Sequence, residues 1–317
     1  SGQVLAKLAE RMPNLIGGSA DLAPSNKTYI KGRGDFSAET PEGSNLHFGI
    51  REQAMAGIVN GMQVHGGLQT YAGTFLVFSD YMKHGIRLSA LMKLPVLYVL
   101  THDSIGVGED GPTHQPIEHE AQIRLMEHLR NHAGERSMVV LRPADGEETI
   151  AAWRLALEEK RPVALILSRQ NIKNLPALAA SRREEAAQLA KGAYIVADTA
   201  KPDVVMVASG SEVATLVEGA GLLAQEGIKA RIVSVPSEGL FRDQPQSYQE
   251  SVLPAGIARY GMTSGLPVTL QGLVGEKGFI HGHDMFGFSA PYTVLDKEFG
   301  YNGETVAAEV KKLLGRA

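Results

Sequence analysis

Short, nearly continuous apolar runs recur through the first half of the chain: Pro95–Thr101 (PVLYVLT), Met138–Leu141 and Val163–Leu167. Runs of this length without polar alternation predict strands buried on both faces. Shorter strand-like pieces lie at Asn14–Ile16, ending in Gly17-Gly18, at Leu46–Phe48 and at Tyr71–Phe75. Between them the period changes. Ala54, Met55, Ile58, Val59 and Met62 recur at helical spacing within Arg51–His65, and Gln3–Met12, Tyr81–Met92 and Gly146–Glu158 also predict helices. Strand–helix–strand alternation of this kind predicts a doubly wound parallel sheet with helices on both faces.

The pattern breaks at Gln170–Ala190, which is rich in Ala, Arg and Glu and opens on the loop-like Asn171–Pro176. It then resumes with strands near Tyr194–Ala197, Val204–Ala208 and Ala230–Ser234 and helices at Ser211–Gln225 and Glu304–Leu314. Ser209-Gly210-Ser211-Glu212 reads as a cap for the first of these helices. The expected organisation is two three-layer α/β domains, residues 1–170 and 191–317, joined by a linker at 171–190. The second has the smaller, mostly parallel sheet. A chain of 317 residues has room for about two domains.

Composition narrows the function classes. Hydrophobic residues are 44% and charged residues 21%, as in an ordinary globular protein. Lys and Arg number 31 against 35 Asp and Glu, and no basic run stands out, which argues against a nucleic-acid partner. The apolar runs are too short to span a bilayer, so no membrane association is expected. The absence of cysteine excludes disulfides and thiolate chemistry and fits a cytoplasmic setting.

The densest candidate chemistry is Thr101–Pro116 (THDSIGVGEDGPTHQP), directly after the most buried-looking strand. Ligands in open α/β sheets bind beyond the carboxyl ends of strands. This loop gathers His102, Asp110 and His114 on a glycine-rich backbone. It reads as a site, as a polar surface loop, or as a metal centre, although the spacing matches no standard metal motif. Gly106-x-Gly108-x-x-Gly111 satisfies GxGxxG literally but sits in the wrong context for a dinucleotide turn. Glu52 opens a helix, where a carboxylate complements the dipole; its small and apolar neighbours also suit a buried proton carrier. Phe75, Phe78 and Tyr81 recur at i, i+3, i+6, the pattern of one helical face, and read either as core or as a stacking platform. Arg169, beyond Val163–Leu167, is an ordinary surface residue or an anion clamp.

Together these segments resemble transketolase. Gly17–Asn26 (GGSADLAPSN), His47–Glu52 (HFGIRE), Gly73–Phe78 (GTFLVF), the whole Thr101–Pro116 loop and Leu167–Asn171 (LSRQN) follow the family's motifs in the family's order. Gly210-Ser211-Glu212 and Gly287–Pro291 (GFSAP) extend the likeness toward the C-terminus. The resemblance covers the pyrimidine-binding and C-terminal domains. It does not cover the diphosphate-binding domain, whose Gly-Asp-Gly motif is missing. The chain is therefore expected to be a fragment of a longer enzyme or one partner of a split one.

The resemblance implies thiamine diphosphate as cofactor, with its divalent metal, magnesium or calcium, held by the absent domain. It implies transfer of a two-carbon ketol unit between sugar phosphates in the pentose phosphate pathway. It also implies a homodimer, and a chain that is silent alone. Glu52 would hydrogen-bond the N1′ nitrogen of the pyrimidine. Phe75, Phe78 and Tyr81 would form the pyrimidine pocket, with Asp21 and Leu22 beside the ring system. His102 and His114 would carry protons in the sugar channel, Asp110 would hold a hydroxyl, and Ser25 and Arg169 the sugar phosphate. The alternatives are another thiamine enzyme (a 1-deoxyxylulose-5-phosphate synthase or a 2-oxo acid dehydrogenase β subunit) and a non-catalytic module. Two stretches depart from the family: Glu118–Ser137 is longer than usual, and Arg259–Pro267 (RYGMTSGLP) replaces a strand-like segment.

Overall fold

The computed structural model describes residues 1–179 and 181–316. Ala180, inside the expected linker, and Ala317 lie outside the described residues. The first α/β unit holds six strands: β1 (Leu15–Ser19), β2 (Asn45–His47), β3 (Gln69–Phe75), β4 (Leu97–Thr101), β5 (Val139–Leu141) and β6 (Val163–Leu167). They pair in the order β2-β1-β3-β4-β6-β5, every pair parallel. The second unit holds β7 (Tyr194–Ala197), β8 (Val204–Ala208), β9 (Ala230–Ser234), β10 (Ala258–Met262) and β11 (Phe279–His281). Their order is β11-β10-β8-β9-β7, with only β7 antiparallel.

Strands β4, β6 and β8 are buried at every position, so their unbroken apolar runs serve both faces of a sheet. The predicted helix Gly146–Glu158 forms with those bounds. Asp145 caps it, accepting a hydrogen bond from the Glu148 amide at 2.8 Å, while Glu148 reaches back to the Ala144 amide at 2.8 Å. Helices Glu52–His65 and Ser79–Met92 pack side by side against the first sheet. Met55, Ala56, Val59, Met82 and Ile86 share one core cluster with Tyr98 and Leu100 of β4.

The linker expected at 171–190 carries secondary structure of its own, and other expectations need correction. Arg182–Ala186 is a helix and continues as a 3-10 segment to Lys191. Arg182 donates to Asp145 at 2.7 Å and to Glu148 at 3.0 Å, and Tyr194 donates to the same Glu148 at 2.6 Å. The Ala/Arg/Glu composition looked like solvated linker because its partners lie more than thirty positions away. Ser211 makes no capping hydrogen bond, and the Glu212 carboxylate is turned to Arg142 instead. The atypical Arg259–Pro267 stretch still contributes β10, paired with β8 in regular register. Within Glu118–Ser137, His119–His128 is a helix with His119, Glu120, Arg124 and Glu127 buried on one side.

Candidate functional site

Parallel pairing brings the carboxyl ends of five strands to one edge of the first sheet. Ser19 of β1 is level with His47 of β2 and Gly73 of β3, Phe75 with Thr101 of β4, and Thr101 with Leu167 of β6. The residues singled out in the sequence follow these ends. Asp21, Leu22 and Ser25 come after β1, Glu52 after β2, Phe75 closes β3, His102 follows β4 and Arg169 follows β6. The chain leaves β1 toward β2 and then crosses to β3 on the other side. Such a reversal opens a crevice at the carboxyl edge.

His102 is the most constrained of these residues. Its backbone sits in the left-handed region, φ 61°, and the residue is 6% exposed. Its Nδ1 lies 2.9 Å from the Thr101 hydroxyl, and its ring stacks on Phe75 at 3.6 Å between centroids. Burial, aided by the nearby Arg169 and His114 and opposed by Asp110, lowers its pKa to about 4. The imidazole is therefore neutral near pH 7 and can accept one proton and donate another.

The stack continues outward. Phe78 lies nearly parallel to Phe75 at 6.0 Å and stacks at a 27° tilt on Tyr81 at 6.1 Å, while His114 meets Phe78 edge-on at 5.4 Å. Helical periodicity grouped these aromatics correctly for the wrong reason. Phe75 ends a strand, Phe78 lies in a 3-10 turn and Tyr81 in the helix Ser79–Met92. Tyr81 is 65% exposed and Phe78 partly so, so the platform opens onto the surface. Glu52 occupies the first position of its helix and is 6% exposed. An acid there benefits from the helix dipole while most of its surface is withheld from water.

A cavity of about 680 Å³ gathers Ser25, His102, Arg169, Gln170 and Asn171. Arg169 is exposed and forms no ion pair among the described residues. A larger hollow, about 990 Å³, adjoins it through Ser1–Gln3 and Lys27 and includes Asp21. Glu52, Phe78, Tyr81, Asp110 and His114 line neither of these cavities. Asp110 is exposed and His114 half-buried with Nδ1 2.9 Å from the Thr113 hydroxyl.

The loop after His102 is held by features the sequence reading missed. Gly106–Gly111 is not a phosphate turn but a 3-10 segment broken at Gly108, φ 83°. Gln115 donates from its amide to the carbonyls of Gly108 at 2.9 Å and Phe288 at 3.0 Å, tying the loop to the second domain. Ser289 donates to the Glu109 carbonyl at 2.5 Å. Asp103 is buried beside His102 and accepts from Arg142 at 2.9 Å. An Arg at the carboxyl end of an all-apolar strand was the available signal. Among the described residues, the group of His and carboxylates close enough to share a cation is Asp80, Glu118 and His119, not the His102 loop. Its two acids lie on opposite nitrogens of the His119 ring, and Lys83 is 3.5 Å from Asp80, so it reads as an ion-pair chain.

The fold and this strand-end cluster define a pair of open α/β domains, the first with a candidate ligand site at its carboxyl edge. Residues 1–174 match the family model for the transketolase pyrimidine binding domain, and residues 192–302 that for the transketolase-like C-terminal domain. The chain belongs to the transketolase family. It is 48% identical to a transketolase from Geobacillus stearothermophilus, over 100% of this chain and 46% of that protein. With the transketolase of Bacillus subtilis the identity is 46%, over 100% and 46%. Among solved structures, transketolase from Campylobacter jejuni superposes with a TM-score of 0.87 at 36% identity, over 98% of this chain and 45% of that one. A structure described as a split gene transketolase, inactive beta4 tetramer, matches at TM-score 0.71 and 26% identity, over 99% of this chain and 96% of that chain. The chain thus spans about half the length of the curated relatives it matches.

Proposed function

We propose that this chain supplies the pyrimidine-binding half of a thiamine diphosphate site and the sugar channel of a ketol-transferring enzyme. The observation that carries the reading is the convergence of Glu52, Phe75, His102 and Arg169 on one sheet edge. The residues present suit the cofactor. An aromatic platform that opens outward suits a heteroaromatic ring, and a nearly buried carboxylate at the same edge suits a ring nitrogen. When bound, the cofactor supplies the electron sink for cleaving the ketose carbon–carbon bond. Glu52 holds the proton at the pyrimidine nitrogen, while Phe78 and Tyr81 fix the ring plane, and Asp21 and Leu22 flank it. His102 and His114 exchange protons with sugar oxygens, and Asp110 accepts from a hydroxyl. Ser25 and Arg169 hold the sugar phosphate at the far end of the cavity.

The diphosphate and its divalent metal belong, in this reading, to a diphosphate-binding part or partner subunit. The split-gene relative is a precedent for such a division, and the transketolase of Pichia stipitis, 39% identical, is described in complex with sedoheptulose 7-phosphate. The reading includes the pentose phosphate pathway, a homodimer and a cytoplasmic setting. Ile58, Val64, Tyr81, Leu91, Met92 and Leu125 stand exposed on three neighbouring helices and support the dimer. The test mixes this chain with the diphosphate-binding half of a relative, thiamine diphosphate and magnesium. Ketol transfer from xylulose 5-phosphate to ribose 5-phosphate is expected in the mixture and absent from either part. Transfer by the 317-residue chain alone overturns the division of labour, and a silent mixture of folded, associated parts overturns the activity.

A further inference from the structure

The second sheet has the same kind of carboxyl edge as the first. Its chain leaves β8 toward β9, then crosses back to place β10 on the other side of β8. A crevice is therefore expected between the ends of β8 and β10. It is filled from within the chain. Arg142, the residue after β5 of the first domain, is fully buried there. Its Nη1 donates to the Ser209 carbonyl at 3.0 Å and to the Ser209 hydroxyl at 3.3 Å, just past β8. Its Nη2 donates to the Ser264 hydroxyl at 3.1 Å, just past β10. The Glu212 carboxylate takes both Nη1 and Nη2, the second at 3.2 Å.

The backbone takes part as well. The Arg142 amide donates to the Pro236 carbonyl beyond β9 at 2.9 Å, and the Arg142 carbonyl accepts from the Gly210 amide at 3.1 Å. Gly210 sits at φ 60°, and a Cβ there would lie 2.7 Å from the guanidinium. Only glycine leaves room for the fork. The remaining guanidinium nitrogen, Nε, turns back toward the first domain and donates to Asp103 at 2.9 Å, with Glu120 at 3.6 Å. Asp103 is the neighbour of His102 in the chain. One planar group thus joins the second domain's crevice to the loop that carries the imidazole.

We infer that the carboxyl-edge crevice of the second domain is a guanidinium socket, built by Ser209, Gly210, Glu212 and Ser264 and filled by Arg142, and that Arg142 is a positioning residue for His102. The positioning role rests on the proposed function of the His102 loop; the socket does not. The second domain then needs no diffusible ligand at its strand ends. Its site holds a side chain of the first domain, and the bidentate fit to Glu212 explains why the residue is Arg rather than Lys.

The experiment empties the socket with Arg142→Ala in the 317-residue chain and refills it with guanidinium or methylguanidinium at low millimolar concentration, far below denaturing levels. Loss of a buried charge partner should lower Tm by roughly 5–15 °C. Guanidinium should raise the variant's Tm in a saturable way, with no such rise for the wild type, whose socket is filled, and none with urea or sodium chloride. The His102 imidazole signal, assigned with His102→Gln, should shift in Arg142→Ala and return with guanidinium. Should Arg142→Ala fail to fold even with the ion, Arg142→Lys and Ser264→Ala carry the same reading through a smaller Tm loss and a partial shift of His102. Absence of any guanidinium-dependent stabilisation in folded Arg142→Ala overturns the socket. So does a wild-type Tm in both milder variants. A His102 signal unmoved in every folded variant overturns the positioning role. In the enzyme completed by its diphosphate-binding part, guanidinium should restore kcat to Arg142→Ala but not to His102→Gln. Failure of that arm alone, with the others positive, counts against the catalytic reading and not against the socket.

Discussion

The two sheets end in similar crevices and use them in opposite ways. At the first, the exposed Arg169, with Ser25 and His102, lines a cavity that the chain's own atoms do not fill, and Phe78, Tyr81 and Asp110 stand exposed or half-exposed at the same edge. At the second, an Arg from the neighbouring domain occupies the switch point and bonds Ser209, Glu212 and Ser264 there. Shared topology therefore says where a ligand can sit, not whether one does. The difference lies in what each crevice leaves unpaired. Arg169 makes no ion pair among the described residues, whereas Arg142 meets Asp103, Glu120 and Glu212. A cation held by three acids belongs to the architecture. One left exposed over a cavity is placed for a ligand.

The largest expected effect breaks the open crevice at its acid. In the completed enzyme, Glu52→Gln should lower kcat by about 10²-fold or more, the scale of general acid–base contributions, with the fold and Tm kept. Steady-state kinetics at saturating cofactor measures it. Unchanged turnover would return Glu52 to the role of a helix-end carboxylate, and the first crevice would lose its distinction from the second.

Next in size is Arg169→Ala. A charge-assisted contact contributes about 1.5–3 kcal/mol, so KM for phosphorylated sugars should rise roughly 10- to 100-fold, and for unphosphorylated sugars far less. Parallel KM measurements on the two substrate classes decide it. Because Arg169 has no carboxylate partner to strand, Tm should stay near that of the wild type, in contrast to Arg142→Ala. An equal change for both substrate classes would make Arg169 a structural residue like Arg142.

How much of this was legible depended on distance along the chain. Strands β4, β6 and β8 declared themselves because burial on both faces leaves an unbroken apolar run. The His102 loop stood out because its polar residues are consecutive. Arg142 did not, since its partners Glu212 and Ser264 lie 70 and 122 positions away. Its place at the end of an all-apolar strand was the one local signal, and an Arg facing water can share it. Distance hid Arg182 too, which looked like linker until Asp145 and Glu148 were beside it. The aromatic stack sat between these cases. Its spacing was visible, but the backbone passes from strand to 3-10 turn to helix beneath it, and no periodicity encodes that.

The smallest expected effect sharpens the comparison at the rim of the stack. Tyr81 is exposed and its hydroxyl donates to no partner among the described residues, so this chain gains little stability from it. Its ring stacks on that of Phe78, 6.1 Å between centroids. Aromatic pairs contribute about 0.5–1.5 kcal/mol beyond the area they bury. Tyr81→Leu should therefore leave the Tm of the 317-residue chain unchanged within a degree or so, since surface substitutions rarely move it further. In the completed enzyme the loss should appear as thiamine diphosphate affinity roughly 2- to 10-fold weaker, read from the cofactor dependence of the rate. That split separates a group kept for a ligand from one kept for the fold. Ser264→Ala at the filled crevice should show the reverse: a lowered Tm and an unaltered cofactor affinity. If Tyr81→Leu instead destabilised the isolated chain, the platform would belong to the core, and the first crevice would be as closed as the second.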